Sequence, residues 1–119
     1  MDFDFTQEQQ MLRQMTRELL ATESSPARVR ALGESQEGWD PATWSKLAEL
    51  GLLGVTIPEE YGGQALAHVE QALVLEEIGR AALPSPYFAT SVLVVSALLA
   101  GGSEAIKRRY LPEIAAGRL

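Results

Sequence analysis

The most restrictive feature of this sequence is a nearly uninterrupted apolar run at residues 87–100, YFATSVLVVSALLA. A helix that is apolar on nearly every side is typical of one with neighbours all around it. The run is too short to cross a lipid bilayer, because that takes roughly 20 residues. We therefore expect a central helix that is buried from all directions, in a protein with no membrane partner.

Helical patterns also run through the remainder of the chain. Thr6 with Gln9 forms a capping-box signature, and Asp40 followed by Pro41 is a typical helix start. No segment alternates apolar and polar residues between hairpin turns, so no strand is predicted. We predict an all-α fold, a helical bundle of about five to six helices. The predicted helix starts are Thr6, Pro26, Asp40, the neighbourhood of Val69, Tyr87 and Ser103, with Pro112 opening a separate last turn.

The apolar run needs more neighbours than this chain offers. The 119 residues amount to one domain, and its few other helices cannot surround a central helix on every side. The sequence also ends at residues 117–119, where a loop begins. We expect that further parts of a larger protein cover this helix. Without them, we expect exposed hydrophobic surface and a homo-oligomer, a dimer or larger, that covers residues 92–99.

Charge and composition exclude several classes of function. Ten basic residues against sixteen acidic ones give a formal net charge of −6, which argues against nucleic acid as a partner. There is no cysteine, and the one histidine, His68, is expected at the surface, so thiol chemistry and His-rich metal sites are excluded. The acidic start MDFDFTQEQQ lacks the design of a signal peptide. The resulting prediction is a cytoplasmic protein.

The remaining charged and glycine residues do not assemble a catalytic set. Glu76 and Glu77 are adjacent on a helix and point in different directions, so solvated charges or an ion pair with Arg80 explain them better than a paired acid and base. Gly62 and Gly63 lack the preceding strand and third glycine of a dinucleotide-binding loop. We predict no catalytic, cofactor-binding or metal-binding residue in this chain.

Three hydroxyl side chains, Thr90, Ser91 and Ser96, interrupt the apolar run. Their hydroxyl groups can bond to carbonyls of the preceding helical turn, which is a common arrangement. Alternatively, these small side chains leave space beside the helix and line a wall that binds a ligand. The sequence leaves both interpretations open.

Four stretches together resemble the N-terminal helical domain of the acyl-CoA dehydrogenase family. The most specific is WSKLAELGLLGVTIPEEYGG at residues 44–63, in which a proline and paired glycines define a tight turn that holds helices at a fixed angle. The others are FTQEQQ at 5–10, LEEIGRA at 75–81 and GSEAIKRRYLPEIAAG at 102–117. They occur in order and cover essentially the whole chain. Residues 1–119 are thus identified as an N-terminal α-helical domain of this family.

The resemblance implies a larger enzyme. Such enzymes add a middle β-domain and a C-terminal helical domain, both absent from residues 1–119, and bind FAD between the domains. They oxidise the Cα–Cβ bond of an acyl-CoA thioester, in fatty acid metabolism, and pass the electrons to an electron-transfer flavoprotein. The catalytic glutamate comes from the C-terminal domain. This chain alone is therefore expected to be inactive and to bind no FAD.

The resemblance also implies a role for the apolar helix, as one wall of the acyl-chain pocket. Rough alignment back from Gly102 places Ala89, Val92, Leu93 and Ser96 on that wall as substrate-binding residues. Burial of the acyl chain there is worth about 0.8 kcal/mol per methylene. A stand-alone helical protein-interaction module without enzymatic activity is the alternative from a different class of function.

Two alanines depart from the family pattern. Ala65 and Ala67 stand where the family commonly has a glycine and a capping Ser or Asp. Both lie in the loop that leads to the helix near Val69. The backbone geometry of that loop is therefore where this chain is expected to differ.

Overall fold

Six α-helices form the framework of residues 3–119, the part of the chain that the computed structural model describes. No strand occurs among those residues, which confirms the predicted all-α fold. Met1 and Asp2, the first residues of the predicted domain and of its acidic start, lie outside the described part. The helices are α1 (Gln7–Glu23), α2 (Pro26–Gly33), α3 (Pro41–Glu49), α4 (His68–Arg80), α5 (Val95–Gly101) and α6 (Glu104–Ala115).

Two of the predicted helix starts, Thr6 and Asp40, are confirmed by side chains that bind the first free amides. Thr6 Oγ1 accepts a hydrogen bond from the Gln9 N–H at 3.2 Å, and Gln9 Oε1 accepts one from the Thr6 N–H at 2.9 Å. This reciprocal pair is a capping box. Asp40 Oδ1 accepts from the Ala42 N–H at 2.9 Å and begins α3 in the same way.

Pro112 does not open a separate turn, so that prediction was wrong. It lies inside α6, which runs unbroken from Glu104 to Ala115. A proline inside a helix costs about 3 kcal/mol, because it removes one amide donor and crowds a carbonyl. Leu111 and Ile114 on the same helix are fully buried. Burial of two such side chains, at about 1.5–3 kcal/mol each, offsets that cost.

The helices enclose two hydrophobic clusters. α1 packs against α4 over the first core cluster, and α6 packs against α5 beside the second. A loop at residues 51–66 contributes side chains to both. The first core cluster consists of Leu20, Trp44, Leu47, Leu52, Leu53, Val55, Val74, Leu83 and Tyr87; the second core cluster consists of Ile57, Tyr61, Val95, Leu111 and Ile114.

The loop at residues 51–66 is pinned by its own backbone. Gly51, with φ of 77°, ends α3 in the left-handed conformation predicted for a C-terminal cap. The Gln64 N–H donates to the Gly54 carbonyl at 2.9 Å, which folds the loop back on itself. Both α3 and α6 contact its short 3-10 turn, Leu52–Gly54. The loop therefore holds these two helices against each other.

The bundle is flat. Its principal extents are 43 × 42 × 20 Å, so it is only about two helices thick, since a helix with side chains measures roughly 10 Å across. Its accessible surface is 7100 Å², against about 6300 Å² for an average folded monomer of 12.9 kDa. A flat shape leaves more surface uncovered than a sphere of the same mass.

The two alanines that depart from the family pattern occupy unfavourable backbone positions. Ala65 has φ of +55°, and Ala67 begins α4 without any side-chain cap. We expect Ala65→Gly to raise the free energy of unfolding by about 0.5–1 kcal/mol, because it relieves left-handed strain. Ala67→Ser should add about 1 kcal/mol by capping a free amide. Urea unfolding measures both.

Ala72→Gly is the matched control for this pair of substitutions. Ala72 is exposed within α4, where glycine is expected to lower the free energy of unfolding by roughly 1 kcal/mol. If Ala65→Gly lowered stability by the same amount as Ala72→Gly, the positive φ of Ala65 would be contradicted.

Candidate functional site

The apolar run forms a helix with one buried face and one exposed face. Its first part is a π-helical segment, Phe88–Val94, which continues directly as α5. Tyr87, Ser91 and Val95 point into the bundle and are almost completely buried. The expectation that this helix is buried from all directions is therefore wrong for this chain, because the flat bundle covers it from one side only. Large apolar side chains remain exposed on its other side: Phe88 by 56%, Leu93 by 54% and Val94 by 44%.

Three of the four predicted wall residues lie on the exposed side of this helix. Ala89, Leu93 and Ser96 are exposed, whereas Val92 is half-buried and packs against the first core cluster. Residues 3–119 do not bring the four together in a closed pocket. Their contact with a substrate therefore stays a prediction.

A shallow cleft of about 400 Å³ lies along the end of the same helix. Ser96, Leu99 and Ala100 form one side of it, and His68, the first residue of α4, forms the other. His68 is exposed, as expected from the sequence. The cleft is mostly apolar around a single imidazole, a lining suited to an apolar ligand or to the side chains of another protein segment.

Gln71 is a polar residue of this region that the sequence reasoning missed. It projects from α4, is only 4% exposed, and its Nε2 donates to the Ser91 carbonyl at 3.0 Å. The Ser91 hydroxyl is buried with no hydrogen-bond partner among the described residues, so the first of the two interpretations, a bond to the preceding helical turn, does not hold for Ser91. The sequence signal that could have identified Gln71 is a glutamine among the apolar residues of α4, close to Leu73 and Val74.

Tyr87 fastens the start of the helix to the loop at residues 51–66. Its hydroxyl donates to the Leu52 carbonyl at 2.8 Å inside the first core cluster. Burial raises the pKa of Tyr87 well above its usual range. The hydroxyl therefore stays protonated and serves as a structural donor.

The acidic pair of α4 is divided between core and surface. Glu77 is 2% exposed and accepts two hydrogen bonds from the Arg17 guanidinium of α1, at 2.7 and 3.0 Å, while Glu76 is exposed. Of the two expectations, a solvated charge describes Glu76, whereas an ion pair with Arg80 is wrong for Glu77, which pairs with Arg17, 60 positions away in sequence. This hydrogen-bonded pair lowers the pKa of Glu77. Glu77 thus joins α1 to α4 as a carboxylate.

The paired glycines do not form a cradle for the phosphates of a cofactor such as FAD. A Cβ atom placed on Gly63 would lie 2.0 Å from the Ile57 carbonyl oxygen, so this chain's own backbone fills that space. Within residues 3–119 there is also no group of three or more His, Cys, Asp or Glu side chains that could hold a metal ion. Gly63 therefore leaves no room for a phosphate group beside the backbone of this loop.

Comparison with known proteins places this fold in a family. The family model described as acyl-CoA dehydrogenase, N-terminal domain, matches residues 6–118. The chain is 37% identical over 115 residues to mitochondrial isovaleryl-CoA dehydrogenase of Pongo abelii, covering 94% of this chain and 27% of that protein. This chain belongs to the acyl-CoA dehydrogenase family and corresponds to its N-terminal domain, as the sequence motifs predicted.

Solved structures agree with this membership. The ChsE4-ChsE5 complex from Mycobacterium tuberculosis matches with a TM-score of 0.82 and 34% identity, covering 100% of this chain and 30% of that chain. The acyl-CoA dehydrogenase complexed with FAD from Bacillus anthracis matches with a TM-score of 0.79 and 31% identity, covering 96% and 20%. The chain spans about a fifth to a third of the length of the curated relatives it matches. None of the helices in the described residues is long and apolar enough to span a membrane.

Proposed function

We propose that this chain is the N-terminal domain of an FAD-dependent enzyme that dehydrogenates the Cα–Cβ bond of an acyl-CoA thioester. Its own contribution is one wall of the acyl-chain pocket, formed by the exposed side of the 88–101 helix. In this proposal a middle β-domain and a C-terminal helical domain supply the catalytic base and the flavin contacts. The chain alone is then inactive and holds no FAD.

The observation that carries this proposal is the exposed apolar face of the 88–101 helix. Phe88, Leu93 and Val94 expose large apolar side chains next to the small residues Ala89 and Ser96. Contiguous apolar surface on a protein marks a binding face.

The relatives supply the cofactor and the partners of this proposal. The related Bacillus anthracis enzyme is complexed with FAD, and the related Mycobacterium tuberculosis proteins form a complex. For the whole protein we propose FAD as cofactor, an acyl-CoA substrate, an electron-transfer flavoprotein as electron acceptor, and a homo-oligomeric assembly. A cytoplasmic location remains the prediction from the sequence.

A larger side chain at position 93 tests whether this helix forms a wall of the acyl-chain pocket. We expect Leu93→Trp, made in the enzyme that carries this domain, to raise the KM for palmitoyl-CoA on the order of tenfold, because displacing about two methylenes at 0.8 kcal/mol each has that effect. The KM for butyryl-CoA should stay unchanged, since a short chain does not reach the added ring. Steady-state kinetics with both substrates measures the difference.

Leu50→Trp is the matched control for Leu93→Trp, because Leu50 is a partly exposed leucine at the end of α3, away from the 88–101 helix. It should leave both KM values unchanged. Equal KM values for Leu93→Trp and the parent protein, together with weakened association with another chain, would favour the stand-alone interaction module instead.

A further inference from the structure

The π-helical segment shifts the register of the helix that follows it. In an uninterrupted α-helix, the residue seven positions after buried Tyr87 would face the same side, and that residue is Val94. Instead Val94 is 44% exposed, and Val95, eight positions after Tyr87, is fully buried. One extra residue in the turn rotates the rest of the helix by about 100°. The segment therefore decides which side chains of α5 point outward.

The hydrogen bonds show how the extra residue is accommodated. In an α-helix the Val95 N–H would donate to the Ser91 carbonyl, four residues earlier. Here it donates to the Thr90 carbonyl, five residues earlier, and also to the Val92 carbonyl, but not to that of Ser91. The Ser91 carbonyl accepts instead from Nε2 of Gln71, at 3.0 Å. The side chain of Gln71 thus takes the place of the displaced backbone donor.

The surroundings leave few substitutes for this amide. Gln71 and Ser91 are 4% and 1% exposed, so water cannot readily serve the carbonyl in its place. The Ser91 hydroxyl, which could bond within its own helix, has no partner among residues 3–119. A buried carbonyl without a donor is costly, so loss of the amide favours a return of the Val95 N–H to Ser91.

We propose that Gln71 is a positioning residue that holds the π-helical turn and thereby sets which side chains of the 88–101 helix line the acyl-chain pocket. The part concerning the pocket rests on the function proposed above. Without the Gln71 amide, the segment winds as an α-helix, Val94 turns inward, and the outward positions that follow it, including Ser96, rotate away from the wall. The preference for acyl-chain length changes as a consequence.

The turn itself can be tested on the full chain by NMR. Scalar couplings across hydrogen bonds identify the carbonyl that accepts from the Val95 N–H. We expect Thr90 in the parent protein and Ser91 in Gln71→Met, which keeps the length of the side chain but removes its donor. Ser91→Ala, the control, should keep the Thr90 acceptor, because Gln71 bonds the backbone at that position. Retention of Thr90 in Gln71→Met would overturn the proposal.

A second variant serves if Gln71→Met folds but is too unstable for the NMR measurement. Deleting Thr90 removes one residue from the turn and lets the segment wind as an α-helix without the amide. We expect the Thr90 deletion to raise the unfolding midpoint of the Gln71→Met variant. If the deletion lowers that midpoint or leaves it unchanged, Gln71 does not hold the turn.

The kinetic experiment separates this proposal from the proposed function. In the complete enzyme, Gln71→Met should change the ratio of kcat/KM for palmitoyl-CoA to that for butyryl-CoA by at least fivefold, with the same FAD content. If the NMR acceptor switches and Leu93→Trp alters chain-length preference, but Gln71→Met does not, the specificity role of Gln71 is overturned. If neither substitution alters the preference while the acceptor still switches, the proposed wall fails and the role of Gln71 in the turn stands.

Discussion

Gly63→Ala is expected to destabilise the domain by about 3–5 kcal/mol, near the upper end for single substitutions. The added Cβ atom would lie 2.0 Å from the Ile57 carbonyl oxygen and 2.4 Å from the Ile57 Cβ atom. Neither can move away easily, because Ile57 is fully buried in the second core cluster and its carbonyl accepts from the Ala65 N–H at 2.9 Å. Such a loss is a large fraction of the 5–15 kcal/mol that usually stabilises a domain.

Urea unfolding followed by circular dichroism measures this loss, with Gly79→Ala as the control. An added Cβ on Gly79, in α4, meets no atom within 4 Å, so alanine there should stabilise by about 0.5–1 kcal/mol. Unfolding midpoints that moved in the same direction for both variants would contradict the close approach of Gly63 to Ile57.

Arg17→Met is expected to have the second large effect, by leaving the Glu77 carboxylate buried and unpaired. A buried charge that loses its partner destabilises a protein far more than an exposed one. Arg118→Met is the matched control, because Arg118 also makes two hydrogen bonds to one glutamate, Glu113, at 2.6 and 2.8 Å, but both residues are exposed. We expect the loss for Arg17→Met to be several times that for Arg118→Met.

The effect of Arg17→Met should depend on pH with a definite sign. Its hydrogen bonds lower the pKa of Glu77 in the folded protein, so the pair stabilises the fold above the ordinary glutamate value of about 4.3, and this stability is lost as the pH falls through the lowered pKa. In the variant, protonation relieves the buried charge. The difference between the parent protein and Arg17→Met should therefore be largest near neutral pH and shrink in acid. A difference that grew in acid would contradict the pairing of Arg17 with the buried Glu77 carboxylate.

Features set by local chemistry were predictable from the sequence. The capping box of Thr6 and Gln9 and the start of α3 at Asp40 and Pro41 depend on residues within one turn of each other. The left-handed backbone conformation of Gly51 was predictable for the same reason, because it depends only on the end of the preceding helix. Family membership was predictable because the motifs, above all residues 44–63, combine such local requirements in a fixed order.

Features set by distant neighbours were not predictable from the pattern. Glu77 pairs with Arg17, 60 positions away, rather than with nearby Arg80, because the packing of α1 on α4 decides the partner. The π-helical segment depends on Gln71, 20 positions away. The apolar run likewise indicates that its side chains are buried by neighbouring structure. It does not reveal whether that structure belongs to this chain. The wall formed by Ala89, Val92, Leu93 and Ser96 stays a prediction for the same reason.

Because the bundle is thin, contact with another part of a protein on its outer face reaches its core directly. Every α-helix except α2 contributes to a core cluster and also to a broad outer face, so the distance between the two is a single helix diameter. A neighbour that presses on the Phe88 and Leu93 side reaches Val95 and the second core cluster without any intervening layer. A partner that binds this surface therefore acts on the packing of the core through a single layer of side-chain contacts.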